Sequence, residues 1–552
     1  MSRKNSAVGG AAILAAAGII VKLLGFAFRI PLTRWIGASG MADYTPAYDV
    51  YSLLLIVATS GIPVAISKLV SERCAVGEYK EAGRVFHIAR LLMWGIGITG
   101  FLILWFFADP IAKAIGIQTS ALSMKATAPA LLFVPIMSSY RGFFQGLQIM
   151  QPTALSQIAE QIARVIVGLG AAYLLFKGMI LPNSLNEGYT GIEALRLKGA
   201  AGACLGASAG ALAGFLVMIW IRFMYRHILT RKAAKDHSTV HESGKKILKR
   251  IIWIAFPITL AACIMPIVNL IDVAIVQNRL TGMGYSYEAA KNLYGQLTSM
   301  AAPIISFPLV LIQALTATIV PMVSRSWKLK NHDLLERDCI FGFRASQLIS
   351  LPCIVGMIVI AQPILILFYG DQARRAPAAA SCLQIYAISF FFLSLVSIAT
   401  SMLQGLGKQH IPVINLFIGI ALKICITWTL TGIHAINVRG AAIGTTCSYC
   451  LASILDIIAL KRITGVKLEL VRSLGKPLIA SLVMGAAVLG TNFVMYKLTS
   501  SLYLNTIVDI LVGMIVYGFM TLAVHALNEE EIAHMPHGDK IQRIVDKFTK
   551  RK

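Results

Sequence analysis

Apolar runs of about 20 residues recur along most of the chain, and shorter polar segments separate them. A run of this length is what an α-helix needs to cross the ~30 Å hydrocarbon core of a bilayer. The pattern predicts an all-α, polytopic membrane protein with about fourteen transmembrane helices. Their expected limits are residues 8–37, 46–71, 86–108, 127–149, 153–177, 199–224, 251–277, 296–325, 338–361, 380–406, 411–431, 440–460, 474–496 and 503–527.

Basic residues stand inside the first of these runs, and no acidic residue precedes Asp43. A lysine near the middle of a lone transmembrane helix costs at least ~3 kcal/mol, so such residues usually face a bundle interior or a watery cavity. Lys22 and Arg29 are seven residues apart and share a helix face. We interpret them as a cationic stripe that faces a cavity, with snorkelling to the headgroups as the alternative. For Arg34, near the outer end of the run, snorkelling is the favoured interpretation.

The location of the positive charge predicts the orientation of the chain. The net charge is +25 and 57% of the residues are hydrophobic. The heaviest basic clusters lie at residues 226–250, 461–476 and 540–552, and the positive-inside rule places them in the cytoplasm. An even number of spans then puts both termini on that side of the bacterial plasma membrane. The anionic inner leaflet accounts for the basic charge, so no nucleic-acid partner is expected.

The distribution of cysteine and acidic residues argues against a metal centre or an enzyme. Cys447 and Cys450 form a CxxC inside a predicted span, where small packing residues are a better interpretation than metal or redox chemistry. The sequence lacks the paired acidic clusters, such as DDxxD, that bind magnesium diphosphate in prenyl- and glycosyltransferases. We therefore expect no cofactor, no metal and no enzymatic activity.

Three short motifs recur in the same order in the two halves of the chain. FFQGL at 143–147 recurs as MLQGL at 402–406, ADPI at 108–111 as AQPI at 361–364, and KGAA at 198–201 as RGAA at 439–442. Such repetition predicts two pseudo-symmetric six-helix lobes with a substrate route in the cleft between them. The expected domains are an N-terminal lobe (1–226), a basic cytoplasmic linker (227–250), a second lobe (251–462), two additional helices (463–527) and an amphipathic cytoplasmic tail (528–552).

Further charged residues lie inside later spans. Glu160 precedes Arg164 by four residues, which is the spacing of a helical ion pair. Arg141 has no acidic residue near it in the sequence, and it either faces the cavity or makes an interhelical contact. Lys423 occupies in the second repeat nearly the position that Arg164 has in the first. Together with the stripe of the first helix, these cations suit a phosphate-bearing anion, which arginine can bind through two parallel hydrogen bonds.

An acidic residue of the second half has two possible roles. Asp272 lies inside a predicted span, with Asn269 one helical turn before it. An intramembrane carboxylate is functional by default, so this pair could bind a proton or a sodium ion. Asp272 could equally serve as the counter-ion of a cation of the first half.

Two stretches of the sequence are similar to a known family. Residues 21–38, VKLLGFAFRIPLTRWIGA, resemble the opening helix of MurJ-type lipid II flippases. Residues 61–72, GIPVAISKLVSE, resemble the branch that contains stage V sporulation protein B. Both belong to the multidrug/oligosaccharidyl-lipid/polysaccharide exporter superfamily. The resemblance implies an alternating-access flippase whose last two helices, here 474–527, form a groove for the lipid tail.

The resemblance also indicates which residues of the family correspond to three positions of the first helix. Lys22 stands where the family has an arginine, Phe28 where it has a second cavity arginine, and Arg29 where it has an aspartate. Asp272 lies on the helix where some relatives bind sodium, but their further acidic ligand on the eleventh helix has no counterpart here. Sodium, protons and the membrane potential all stay open as the driving force.

The function that the resemblance implies is translocation of an undecaprenyl-diphosphate-linked, lipid II-like peptidoglycan precursor from the inner to the outer leaflet, in cell-wall or spore-cortex synthesis. The expected partners are this lipid-linked oligosaccharide diphosphate, membrane lipids and cell-wall synthases. One alternative is an exporter of a teichoic or capsular lipid-linked oligosaccharide. Others are a MATE-type cation-coupled drug exporter, which would need cavity carboxylates, and a non-transporting sporulation scaffold.

Overall fold

The computed structural model describes residues 3–178, 191–234, 236, 242–466, 470–499 and 501–524, and the regular secondary structure in these ranges is helical throughout. The predicted tail, residues 528–552, and residues 235 and 237–241 of the predicted linker lie outside the described residues. The chain divides into two compact units, Met1–Ser299 and Met300–Lys552.

The described residues of the first unit form ten α-helices and two short turns of other helix types. They are α1 (Arg3–Thr59), α2 (Gly61–Ala75), α3 (Tyr79–Phe106), α4 (Ala108–Ala114), a 3₁₀ turn (Gln118–Ser120), α5 (Ala121–Thr127), α6 (Ala130–Gly146), α7 (Gln151–Phe176), α8 (Ile192–Ala234), α9 (Gly244–Gly282), α10 (Tyr287–Gly295) and the start of a π-helical turn (Gln296–Ala301). Inside α1, Gly37 has φ 69° and ψ −175°, a conformation that only glycine adopts readily, so α1 consists of two helical segments.

The number of membrane spans in the structure agrees with the number predicted from the sequence if the long helical stretch that contains the break at Gly37 is counted as two spans. Among the described residues, 12 helices are long and apolar enough to cross a membrane, or 13 if the bent pair Gln118–Thr127 and Ala130–Gly146 forms one span. One of the 12 is the 60-residue stretch Ala16–Ala75. At 1.5 Å per residue it extends about 90 Å, enough for the two crossings predicted at 8–37 and 46–71. The all-α, polytopic prediction is confirmed.

Small residues let α8 approach α7 closely. A Cβ atom added to Gly206 would lie 2.6 Å from the carbonyl oxygen of Arg164, and one added to Gly210 would lie 2.6 Å from that of Glu160. Real side chains cannot come this near, so only glycine permits the observed distance between the two helix backbones. This contact holds in place the part of α7 that carries Glu160 and Arg164, two charged residues of the site described below.

In the part of the second unit that the structure describes, nine α-helices follow the end of the π-helical turn. They are α11 (Ala302–Lys328), α12 (His332–Val359), α13 (Ala361–Tyr369), α14 (Asp371–Arg374), α15 (Pro377–Gly405), α16 (His410–Thr431), α17 (Arg439–Thr464), α18 (Leu470–Leu498) and α19 (Leu502–Ala523). Its apolar core includes Val323 of α11, Phe343 of α12, Met402 of α15 and Leu460 of α17.

The boundary between the compact units lies later in the chain than the predicted boundary between lobes. Helix α9 packs on α1, α2 and α3, and α10 packs on α1 and α9, so both helices belong to the first unit. The division therefore follows Ser299 rather than the linker at 227–250. The two six-helix lobes inferred from the sequence repeat remain a prediction.

Candidate substrate-binding site

The central charged cluster of the first unit joins α6 to α7. Nη2 of Arg141 and Nη2 of Arg164 each lie 3.0 Å from a different carboxylate oxygen of Glu160. The side chains of Arg141, Glu160 and Arg164 are only 13%, 15% and 13% exposed, respectively. Because two guanidinium groups share one carboxylate, the cluster retains one positive charge.

Neighbouring side chains fix the direction of both guanidinium groups. Nε of Arg141 donates to Oγ of Ser156 at 2.9 Å. Nη1 of Arg164 donates to the Tyr48 hydroxyl at 3.0 Å. The predicted pair of Glu160 and Arg164 is observed, and the same Glu160 supplies the acid that the sequence does not show near Arg141. Arg141 thus makes the interhelical contact that was one of its two predicted alternatives, and its role in substrate binding remains a prediction.

A second cluster joins α1 to α9. The carboxylate of Asp49 forms a hydrogen bond with the side chain of Asn269 and lies within electrostatic range of Arg29 and Asp272. Arg29 and the two aspartates are partly buried, whereas Asn269 is exposed. The cation of α1 therefore lies near carboxylates of its own unit. Both roles predicted for Asp272, ion binding and charge compensation, are compatible with this arrangement.

Tyr44 connects the two clusters. Its ring stacks on that of Tyr48, with 5.9 Å between the ring centres and an angle of 15° between the planes. Its hydroxyl lies within electrostatic range of both Arg29 and Arg164. The two clusters therefore belong to one polar region along α1, α6, α7 and α9.

The predicted stripe on α1 faces the same region. Gly25 lies between Lys22 and Arg29, and a Cβ atom added to it would be 3.5 Å from Nε2 of Gln161 on α7. Residues three or four positions apart share a helix face, so this face of α1 is directed towards the helix that carries Arg164. The side chain of Lys22 is exposed. The contribution of Lys22 and Arg29 to substrate binding remains a prediction.

The polar region is less cationic than the sequence suggests. Asp49, Glu160 and Asp272 place three carboxylates among the arginines. Sequence reasoning missed Asp49, although it lies three residues after Pro46 inside an apolar span. An intramembrane carboxylate is by itself a signal of function, and it could have identified this residue.

A third cluster joins α1 to α10, and its residues are far apart in the sequence. Nζ of Lys291 lies 2.8 Å from Oδ2 of Asp43, and the two side chains are 5% and 1% exposed. Asp43 also accepts a hydrogen bond from the Thr119 hydroxyl. Next to this pair, a Cβ atom added to Gly295 would lie 1.9 Å from the carbonyl oxygen of Ala38, so the backbones of α10 and α1 touch. Both members of the ion pair lie in predicted connections, and their pairing could not be read from the sequence.

The second unit has buried polar residues of its own. Lys423 is 8% exposed on α16. Asp456 of α17 is fully buried and accepts a hydrogen bond from Nδ2 of Asn415 at 2.7 Å. Asp509 of α19 accepts one from Nδ2 of Asn492 at 2.6 Å. Grouping Lys423 with the cations of the first unit remains a prediction.

The profile of the polysaccharide biosynthesis protein family matches residues 7–327. The chain belongs to this family. A second profile, named MatE, matches residues 296–429.

Two relatives are similar to the chain over most of their length. Lipid II flippase MurJ of Bacillus subtilis (strain 168) is 28% identical over 490 residues, which are 87% of this chain and 87% of the relative. Stage V sporulation protein B of the same organism is 26% identical over 474 residues, 85% of this chain and 86% of the relative. The resemblance to MurJ-type flippases and to stage V sporulation protein B, inferred from residues 21–38 and 61–72, is confirmed.

Solved structures show the same fold. Lipid II flippase MurJ in an inward closed conformation aligns with a TM-score of 0.62 and 14% identity, covering 92% of this chain and 98% of that one. An inward-facing multidrug resistance MATE family transporter aligns with a TM-score of 0.64 and 15% identity, covering 81% and 94%. The chain is therefore a multi-pass membrane protein with the helical fold that these transporters share.

Proposed function

We propose that this protein is a flippase for a lipid-linked oligosaccharide diphosphate, and that its substrate is a lipid II-like peptidoglycan precursor. The observation that supports this most directly is the sharing of Glu160 between Arg141 and Arg164 inside membrane helices. The similarity to a lipid II flippase over 87% of the chain supports the substrate class. A flippase of the proposed kind moves a lipid without a covalent step, so no catalytic residue is assigned.

The arginine cluster is suited to a diphosphate. Glu160 orients both guanidinium groups before the substrate arrives, which reduces the entropy lost on binding. The remaining positive charge attracts the anion, and N–H groups that do not face Glu160 donate to phosphate oxygens. The Tyr48 hydroxyl adds a polar group beside Arg164. The prenyl tail stays in the surrounding lipid, so only the headgroup enters the polar region.

The cluster of Arg29, Asp49 and Asp272 is the proposed site of coupling. Asp49 and Asp272 lie within electrostatic range of each other, and a proton or a sodium ion bound between them would reduce their repulsion. Asn269 offers an amide oxygen beside Asp49 for a cation. Because these residues belong to α1 and α9, binding of the cation would change the attraction between the two helices.

The contact of Asp43 with Lys291 is the proposed closure on the outer side of the membrane. The predicted orientation, with cytoplasmic termini, places the end of the first span and the start of α10 on that side. Opening this contact would separate a buried ion pair, so it requires compensating interactions in the other state. Alternation between the two states carries the headgroup from the inner to the outer leaflet.

Complementation in a bacterium depleted of its native lipid II flippase tests the proposal. Expression of this chain should restore growth and the appearance of labelled precursor at the outer face. Replacing Arg141 and Arg164 together by Gln should abolish both, whereas Arg34→Gln, at an exposed cation of α1, should leave both unchanged. Failure of the wild-type chain to restore the precursor at the outer face, despite normal expression, would rule out the proposed substrate.

A second candidate function is export of another lipid-linked oligosaccharide, for a teichoic or capsular polymer. The description of the matched family, polysaccharide biosynthesis, favours it. It has the same architecture and differs in the sugar headgroup. The lipid intermediate that accumulates in a deletion strain, identified by mass spectrometry, distinguishes the two substrates.

A MATE-type drug exporter is the third candidate, and the MatE profile over residues 296–429 favours it. It would use the carboxylates of the polar region for cationic drugs. Increased drug resistance on expression, without rescue of flippase depletion, would support this function instead.

A further inference from the structure

Arg222 of α8 is surrounded by aromatic rings. Its guanidinium carbon lies 4.9 Å from the ring centre of Phe86, 5.7 Å from that of Tyr140 and 5.8 Å from that of Phe143. Its Nη1 atom is buried and has no hydrogen-bond partner. Cation–π contacts hold a positive charge in place but do not neutralise it. The charge of Arg222 is therefore available to an anion.

A second arginine packs on the same ring. The guanidinium carbon of Arg90, on α3, lies 5.5 Å from the ring centre of Phe86, within electrostatic range of Arg222. Its Nη2 atom is 3.4 Å from Nδ1 of His87. Within the part of the chain that the structure describes, neither arginine forms an ion pair with a carboxylate. Two like charges at one ring repel each other, and an anion bound between them would remove this repulsion.

Space for such an anion is present beside both arginines. Two adjoining cavities of about 380 and 360 Å³ share Tyr140 as a common wall. The first is lined by Arg222 and Arg226, and the second by Arg90 and His87. The lining residues of both cavities include no aspartate or glutamate. The electrostatics of the two cavities therefore favour an anionic ligand.

The same cavities have an apolar border that faces outwards. Leu91 and Phe223 are 69% and 71% exposed, and Trp94 and Ile219 are 46% and 41% exposed. In a membrane protein, apolar side chains on the outside of the helices contact lipid, and tryptophan is enriched at the level of the headgroups. A ligand of these cavities would thus be anionic at one end and surrounded by acyl chains at the other.

We propose that Arg90, Arg222 and Arg226 bind the phosphate of an anionic phospholipid of the inner leaflet. A lipid fits better than a soluble phosphate compound, because the apolar border continues directly from the arginines. The predicted orientation places these ends of α3 and α8 at the cytoplasmic leaflet, where anionic lipids concentrate.

The site is distinct from the polar region of the proposed transport function. Tyr140 and Arg141 are consecutive on α6, yet Tyr140 lines the two cavities and Arg141 contacts Ser156 and Glu160 of α7. A bound phospholipid would stabilise α6 next to Arg141 without competing for its guanidinium group. Binding of the phospholipid can therefore be measured independently of transport.

Quenching of Trp94 by brominated lipids tests this site in the full-length protein. The contribution of Trp94 is the difference in emission between the wild type and Trp94→Phe, each reconstituted in phosphatidylcholine vesicles. Phosphatidylglycerol with brominated acyl chains should quench this emission more strongly than brominated phosphatidylcholine at the same fraction. Each of the changes Arg90→Gln and Arg222→Gln should weaken the preference for phosphatidylglycerol about fivefold. Equal quenching of Trp94 by the two lipids would overturn the proposal.

Further variants control for nonspecific loss of charge and for impaired folding. Lys68→Gln removes an exposed cation of α2 and should not alter the preference. Because Arg222 is partly buried and its change could impair folding, Arg226→Gln, at an exposed position, is measured as well and should also weaken the preference. A preference that persists in the folded double variant Arg90→Gln, Arg226→Gln would contradict the proposal. So would a thermal stabilisation by inorganic phosphate as large as that by phosphatidylglycerol.

Discussion

Nζ of Lys291 lies 2.8 Å from Oδ2 of Asp43, and both side chains are almost completely buried. The two residues are far apart in the sequence, and their contact attaches α10 to the segment of α1 that follows the break at Gly37. Removing one partner of a buried pair leaves an uncompensated charge, which typically costs about 3–5 kcal/mol.

We therefore expect Asp43→Ala and Lys291→Ala each to lower the free energy of unfolding by about 3 kcal/mol. The double variant should lose less than the sum of the single variants, because the attraction between the two groups is lost only once. In Asp43→Ala, Lys291 keeps a second carboxylate, since Oε1 of Glu288 lies 3.7 Å from its Nζ. Thermal unfolding of the purified protein in detergent measures all three. Ser39→Ala, which removes a hydroxyl that donates to the partly exposed Glu288 at 3.2 Å, is the control with a small expected effect. Strictly additive losses would show that the pair does not couple.

The sequence predicted the helices well because the signal for a membrane helix is local. The predicted spans follow from runs of apolar residues, which describe each helix on its own. The first predicted span ends at residue 37, where the structure has the break at Gly37. The predicted connection between residues 37 and 46 is wrong, since the helical conformation continues through the polar residues near Asp43.

The charged pairs were predicted only where both partners lie on one helix. Glu160 and Arg164 are four residues apart, so helical periodicity alone brings them together. The contacts of Arg141 with Glu160 and of Lys291 with Asp43 depend on how helices pack, which a single sequence does not specify. The aromatic surroundings of Arg222 were missed for the same reason.

Glu160 should be essential for the stability of the first unit. Glu160→Gln removes the carboxylate that Arg141 and Arg164 share and leaves two partly buried guanidinium groups facing each other. We expect a loss of about 3 kcal/mol in the free energy of unfolding. The additional change Arg141→Gln should recover part of this loss, because one of the two repelling charges is then gone. Thermal unfolding measures both, and an unchanged midpoint in Glu160→Gln would show that the carboxylate does not compensate the arginines.

The close contact of α7 and α8 should tolerate no added methyl group. At Gly206 the new Cβ atom would be 2.6 Å from two backbone atoms, the carbonyl oxygen of Arg164 and the Cα atom of Gly168. Gly206→Ala should destabilise the protein by about 1–3 kcal/mol through forced separation of the helices. Gly170→Ala, on α7, is a matched control, because nothing lies within 4 Å of its Cβ position and alanine favours the helix by about 1 kcal/mol. Similar unfolding midpoints in the two variants would mean that the helices move apart without cost.

A buried hydrogen bond should stabilise the packing of α18 and α19, the last two helices of the described chain. Nδ2 of Asn492 donates to Oδ2 of Asp509 at 2.6 Å, and Asp509 is fully buried. Asn492→Leu would leave the carboxyl group without this partner, which should cost about 1–3 kcal/mol. Asp509→Asn retains a group that can accept the hydrogen bond, and it should unfold close to the wild type. Thermal unfolding distinguishes the two, with Phe493→Leu at an exposed neighbouring position as the control. If Asn492→Leu unfolded like the wild type, the hydrogen bond of Asn492 with Asp509 would not stabilise the contact of the two helices.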